Sequence, residues 1–114
     1  MEQNLCSTCH GFASEEKFFL PPDNEVFALA DFFTLLGSPT RLKILLALDG
    51  GELCAGHLAQ AVSMAPSAVS NQLKALKAAR LVSVRREGKM LFYSLADCHP
   101  REIIHLAASH VNEG

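Results

Sequence analysis

The chain lacks several features that would place it in a familiar functional class. No apolar run in its 114 residues approaches the roughly 20 needed to span a membrane. The opening MEQNLCSTCHGF has neither a basic start nor an apolar core, so it does not read as a secretory leader, and the expected compartment is the cytoplasm. There is no HExxH pair and no nucleophile–base constellation, so a metallohydrolase is a poor fit and no enzymatic activity is expected. No internal repeat, linker or second domain is visible. The net charge of −2 excludes a surface that is basic throughout.

Charge is nevertheless unevenly placed. The first 34 residues hold six acids against Lys17. Residues 66–90 hold Lys74, Lys77, Arg80, Arg85, Arg86 and Lys89 against Glu87 alone. A basic stripe on an otherwise acidic protein suits a phosphate backbone. Four cysteines and five histidines are many soft and borderline metal ligands for so short a chain. In a reducing compartment such thiols serve metal or redox chemistry rather than structural disulfides.

Hydrophobic spacing predicts a mainly helical fold with a β-hairpin. Residues 1–22 read as an N-terminal arm, with a short helix near Ser14–Phe19 stopped by Pro21-Pro22. Residues 23–114 read as one folded domain. Asp23 or Asn24 is expected to cap a first helix whose Val26, Leu29, Phe33 and Leu36 form an apolar core stripe. Ser38-Pro39 restarts a second helix, buried through Leu42, Leu45, Leu46 and Leu48, and Asp49-Gly50-Gly51 breaks it. A third helix is predicted over Cys54–Val62 and a fourth from Pro66 through Ala79, joined by the turn Ser63-Met64-Ala65. Two strands then flank Glu87-Gly88-Lys89. A last helix opens at Asp97 or His99, before Pro100, with Ile103, Ile104, Leu106, Ala107 and Val111 as its apolar surface.

Helix, turn, helix and a basic-tipped hairpin describe a winged helix-turn-helix. Its second helix normally lies in the major groove with its N-terminal residues on base edges. Here those residues are Ser67, Ser70, Asn71, Gln72 and Lys74. Asn and Gln suit two-pronged contacts to adenine. Arg85, Arg86 and Lys89 of the hairpin are expected to reach phosphates or a minor groove of double-stranded DNA.

The C-terminus carries the pattern D-x-H-x10-H-x-x-E, formed by Asp97, His99, His110 and Glu113. On one helix the two histidines stand about 16 Å apart along the axis. Zinc–nitrogen bonds are only about 2.0–2.1 Å long. One helix cannot close all four donors around one ion, but two antiparallel copies can. The spacing therefore points to a divalent metal, a homodimer and a site shared between subunits. Two imidazoles and two carboxylates suit Zn(II), with Co(II) as a surrogate. His105 falls outside the pattern and is expected to be a partly buried or surface histidine.

The run from Leu36-Gly37-Ser38-Pro39-Thr40-Arg41 through Glu52-Leu53-Cys54-Ala55-Gly56-His57-Leu58 and Ser67-Ala68-Val69-Ser70-Asn71-Gln72-Leu73, together with the C-terminal pattern, resembles the ArsR/SmtB family of metal-responsive repressors, especially its zinc-sensing branch. The resemblance covers residues 25–113. It implies a homodimer, joined through N- and C-terminal helices, that binds its operator when metal-free and lets go when metal binds. It also implies a second site, with Cys6 and His10 of the arm resembling one half and Cys54 and His57 the other. Cys9 is an alternative donor there, and these thiols suit Zn(II), Cd(II) or Pb(II). The chain departs from the family in four places. Asn71 stands where a His is usual, Ala65 where a hydroxyl caps the recognition helix, His57 where an acid is common, and Cys98 adds a thiol between two ligands. A thiol-responsive repressor using Cys6, Cys9, Cys54 or Cys98, or one responding to arsenite or cadmium, stays open as an alternative.

Overall fold

The computed structural model describes residues 19–113. In chain order these form α1 (Asp23–Leu36), α2 (Pro39–Asp49), β1 (Leu53–Cys54), α3 (Ala55–Val62), α4 (Pro66–Ala78), β2 (Val82–Glu87), β3 (Met90–Leu95) and α5 (Cys98–Glu113). Helices dominate, and the three strands make one small antiparallel sheet in the order β1-β3-β2. No helix among the described residues is long and apolar enough to cross a membrane. The short helix expected near residues 14–19 falls almost entirely outside the described residues.

Two helix starts follow the order of a cap followed by proline. The Ser38 hydroxyl accepts the Arg41 backbone N–H at 3.3 Å, and Pro39 opens α2 where no N–H is needed. Pro66 opens α4 the same way, but Ala65 before it has no side chain to cap with. At α1 the expected cap by Asp23 or Asn24 does not form. Pro22 holds the cap position, and Asp23 and Glu25 lie inside the first turn, where their charges oppose the positive helix end.

The core lies between α2, α3, α4 and the base of the hairpin. Ile44, Leu45, Leu48, Leu58, Val69, Leu73 and Leu76 are fully buried in it. The core face of α2 differs from the expected one: Ile44 is buried, while Leu46 is 51% exposed and Leu42 half-buried. The physical reason is that α2 packs on α3 and β3 through Ile44, Leu45 and Leu48, which turns Leu42 and Leu46 toward α5.

The α1 stripe departs further from expectation. Phe32, Leu35 and Leu36 pack against the core. Val26, Leu29 and Phe33 are exposed at 41%, 57% and 57%. Within one protomer α1 packs chiefly on α2, which covers only one side of it. On α5, Ile104 is buried, but Leu106 and Val111 are largely exposed. Between α1, α2 and α5 runs an apolar groove of about 460 Å³, lined by Phe33, Leu36, Leu42, Leu46, Ile103 and Val111 among others.

The strand β1 was not apparent in the sequence. Cys54 pairs with Phe92 in the sheet and precedes α3, so that helix begins at Ala55. A two-residue strand is too short to show alternation. The hairpin turn is two residues long, since Glu87 pairs with Met90. Its first residue, Gly88, has φ +63°, a conformation that a residue with a Cβ adopts only under strain.

Candidate nucleic-acid interface and metal ligands

Burial divides α4 into two faces. Val69, Leu73 and Leu76 are buried in the core. Ser67, Asn71 and Lys74 are exposed, and Ser70 and Gln72 are half-buried beside them. The helix thus presents hydroxyl, amide and ammonium groups, the donors and acceptors that base edges and phosphates accept.

Gln72 is more constrained than the sequence suggested. Its Oε1 accepts a hydrogen bond from Arg41 Nε of α2 at 2.9 Å. A guanidinium only donates, so the amide atom facing it is the oxygen. A two-pronged contact to adenine requires the amide oxygen and nitrogen together on the base edge. With its oxygen turned to α2, Gln72 ties the recognition helix to α2 in the free protein. Asn71 carries no such tie and is exposed.

The three hairpin cations also differ. Arg86 and Lys89 are exposed and form no ion pair among the described residues. Arg85 is engaged on every nitrogen. Its Nε and NH2 donate to the two carboxylate oxygens of Glu52 at 2.7 and 2.9 Å, and its NH1 lies 3.4 Å from Glu87. The guanidinium also stacks 4.6 Å from the centre of the Phe92 ring. Hydrogen bonding to Arg85 holds the Glu52 carboxyl below its ordinary value, and the same bonds raise Arg85.

The C-terminal donors occupy the two ends of α5. Asp97 Oδ1 accepts the His99 backbone N–H at 2.8 Å, capping the helix, and lies 3.4 Å from His99 Nδ1. His110 and Glu113 are one turn apart at the other end, where Ser109 Oγ donates to Glu113 at 3.4 Å. All four side chains are exposed. His110 is eleven positions beyond His99 on the helix, which is about 16 Å. Among the described residues no three His, Cys, Asp or Glu side chains gather within a single protomer. The donor chemistry fits a tetrahedral divalent ion, but one copy of the chain cannot supply the whole set.

For the second set, Cys54 is buried in β1 and His57 is exposed near the start of α3. Cys6, Cys9 and His10 lie outside the described residues. Cys98 is exposed at the start of α5.

One cluster escaped the sequence reading. Asp49, at the end of α2, accepts from Arg101 Nε at 2.5 Å and from His105 Nε2 at 2.6 Å. Hydrogen bonding from His105, then from Arg101, holds the Asp49 carboxyl below its ordinary 3.8. His105, an exposed surface histidine, ties α5 to α2 through this contact. Arg101 and His105, spaced i, i+4 on one helical face, were the available signal.

Comparison with known proteins identifies the fold and the family. Residues 38–84 match the model of the bacterial regulatory protein arsR family. The chain is 44% identical over 85 residues to a transcriptional repressor SmtB homolog of Synechocystis, an alignment covering 75% of this chain and 64% of that protein. It is 35% identical over 103 residues to the repressor SmtB of Mycobacterium tuberculosis, covering 90% and 76%. Among solved structures, the homodimeric winged helix-turn-helix DNA-binding domain Mb0332 of Mycobacterium bovis superposes with a TM-score of 0.75 at 30% identity, covering 80% of this chain and 84% of that one. The antimony-specific transcriptional repressor AntR gives 0.74 at 32%, covering 88% and 90%. The fold is a winged helix-turn-helix, and the chain belongs to the arsR family of bacterial regulatory proteins, which are DNA-binding regulators rather than enzymes.

Proposed function

We propose that this chain is a metal-responsive transcriptional repressor that binds operator DNA as a homodimer when metal-free and releases it on binding a divalent metal, Zn(II) first. Asp97 and His99 of one protomer and His110 and Glu113 of the other form the regulatory site, twice per dimer by symmetry. The observation that carries the reading is the separation of the two donor pairs to opposite ends of α5, the helix that also walls the uncovered apolar groove. Family resemblance to repressors, one of them named as antimony-specific, supports metal response in general.

A second copy covering α1 and α5 buries the groove and brings each N-terminal donor pair beside the partner's C-terminal pair. Ser67, Ser70, Asn71, Gln72 and Lys74 face the major groove, and Arg85, Arg86 and Lys89 face phosphates. Half-sites on DNA stand about 34 Å apart, so the relative setting of the two recognition helices decides affinity. A metal held across the two α5 helices favours one such setting. If that setting mismatches DNA, metal and operator weaken each other by the same factor. Moving the dimer from nearly all bound to nearly all released requires a ratio of about 10⁴, roughly 5.5 kcal/mol.

Cys54 and His57, with Cys6 and His10 or Cys9 of the arm, form a second and less decisive site for Zn(II), Cd(II) or Pb(II). It requires the arm to be held against α3, which fixes backbone dihedrals and costs chain entropy.

The test is operator capture by binding-site selection from random duplexes, followed by titration with Zn(II), Co(II) and Cd(II). Release by Zn(II) in the wild type and its loss in His110→Ala is expected. A His110→Ala protein that still releases DNA normally removes the C-terminal site from the mechanism.

A further inference from the structure

We propose that Glu52 is an internal competitor for DNA phosphate, holding Arg85 in the free protein and surrendering it to the backbone of a bound duplex. This rests on the reading of the hairpin as a DNA-contacting wing. Arg85 stands in β2 opposite Phe92, and Phe92 in β3 stands opposite Cys54 of β1. Glu52 precedes β1, so the carboxylate reaches Arg85 from outside the hairpin and across its inner strand. The result is a row of Glu52, Phe92 and Arg85 over the sheet.

Three features make the contact an exchangeable one. The first is geometric. Glu52 meets the guanidinium with two oxygens on Nε and NH2, and phosphate binds the same fork with the same two-oxygen geometry. The second is solvent. The Arg85 and Glu52 side chains are 50% and 34% exposed, and ion pairs so placed contribute little net stability. A duplex, with one negative charge per about 1.7 Å of axis, is a stronger local competitor. The third is the ring. Phe92 supports the guanidinium from one face whichever anion it meets, so exchange needs no large movement of Arg85. Arg86 and Lys89 have no such internal partner among the described residues, which makes Arg85 the wing cation whose contribution is gated.

The gating predicts a gain of function. Glu52→Gln keeps the shape and removes the competing charge. Its affinity for a mixed-sequence duplex of roughly 30 base pairs, long enough for two half-sites one turn apart, should rise about twofold to fivefold. Its salt dependence should steepen by about one phosphate contact per protomer. Arg85→Met removes the exchanged contact and should weaken wild-type binding, and Glu52→Gln added to Arg85→Met should gain at most half as much as it does alone. The substitutions fall on exposed side chains, so folding, checked by thermal melting, is unaffected.

Fluorescence anisotropy across a salt series reads all four proteins. Weaker binding by Glu52→Gln, an unchanged salt slope, or an equal gain in the Arg85→Met background overturns the proposal. Wild-type protein with no salt-sensitive duplex binding defeats the DNA-binding reading itself, a separate outcome from any of these.

Discussion

Truncating Phe33 to alanine should separate dimer formation from folding. Phe33 projects from α1, lines the groove between α1, α2 and α5, and is 57% exposed in one protomer. A phenylalanine offers about 150–250 Å² to be buried, so roughly 110 Å² of Phe33 awaits a partner. Alanine retains part of that, leaving a loss of roughly 80 Å², or about 2 kcal/mol per protomer at about 25 cal/mol per Å². Symmetry counts the loss twice, so the dimer weakens by about 4 kcal/mol and its dissociation constant rises about a thousandfold. Sedimentation equilibrium of metal-free protein over a concentration series measures this directly. Phe33 lies outside the buried core, so the monomer's thermal transition should persist at concentrations where the dimer has dissociated. A variant whose dimerisation constant stays within about threefold of wild type would refute the assignment of this face to the second copy.

Two further outcomes follow from the core and from the tie between α2 and α5. Leu73→Ala removes a fully buried side chain beneath the recognition helix and should cost about 2–5 kcal/mol in urea unfolding; a loss below 1 kcal/mol would contradict the packing. Asp49 is held below its ordinary 3.8 by His105 and then Arg101. A depressed carboxylate contributes stability that is present above the unfolded value and lost as pH falls through the folded one. The contribution of this carboxylate to the stability difference between wild type and Asp49→Asn should therefore shrink as pH falls below 3.8; a difference that grows in that acid range would refute the tie.

The sequence made the helix-turn-helix and the wing legible because their signals are local. Ser38-Pro39, Pro66 and the Glu87-Gly88-Lys89 turn act within a few residues of themselves, and the alternation of the strands is a short-range pattern. The α1 stripe was visible, but its destination was not: periodicity reports that Val26, Leu29 and Phe33 share a face, and cannot report whether the same chain or another covers it. The polar ties were invisible for a different reason. Arg41 and Gln72 are 31 residues apart, Glu52 and Arg85 33, and Asp49 and His105 56. Each depends on how α2 and β1 are set against later elements, which no local pattern specifies. Those ties altered the candidate site, since they engage Gln72 and Arg85, two side chains whose types alone suggested free contacts with DNA. Asp97, His99, His110 and Glu113 stand at the two ends of α5.

A regulatory metal held by two chains can be rebuilt by mixing subunits. One variant carries Asp97→Ala and His99→Ala, the other His110→Ala and Glu113→Ala; with Cys54→Ser and His57→Ala added to both, the second site is removed. Neither homodimer should hold Co(II) with tetrahedral absorption. In the mixed dimer one site loses all four donors and the other keeps all four, so mixing should restore one tightly bound Co(II) per heterodimer. No restored absorption, in a mixture shown by mass to contain heterodimer, would contradict a site shared between subunits.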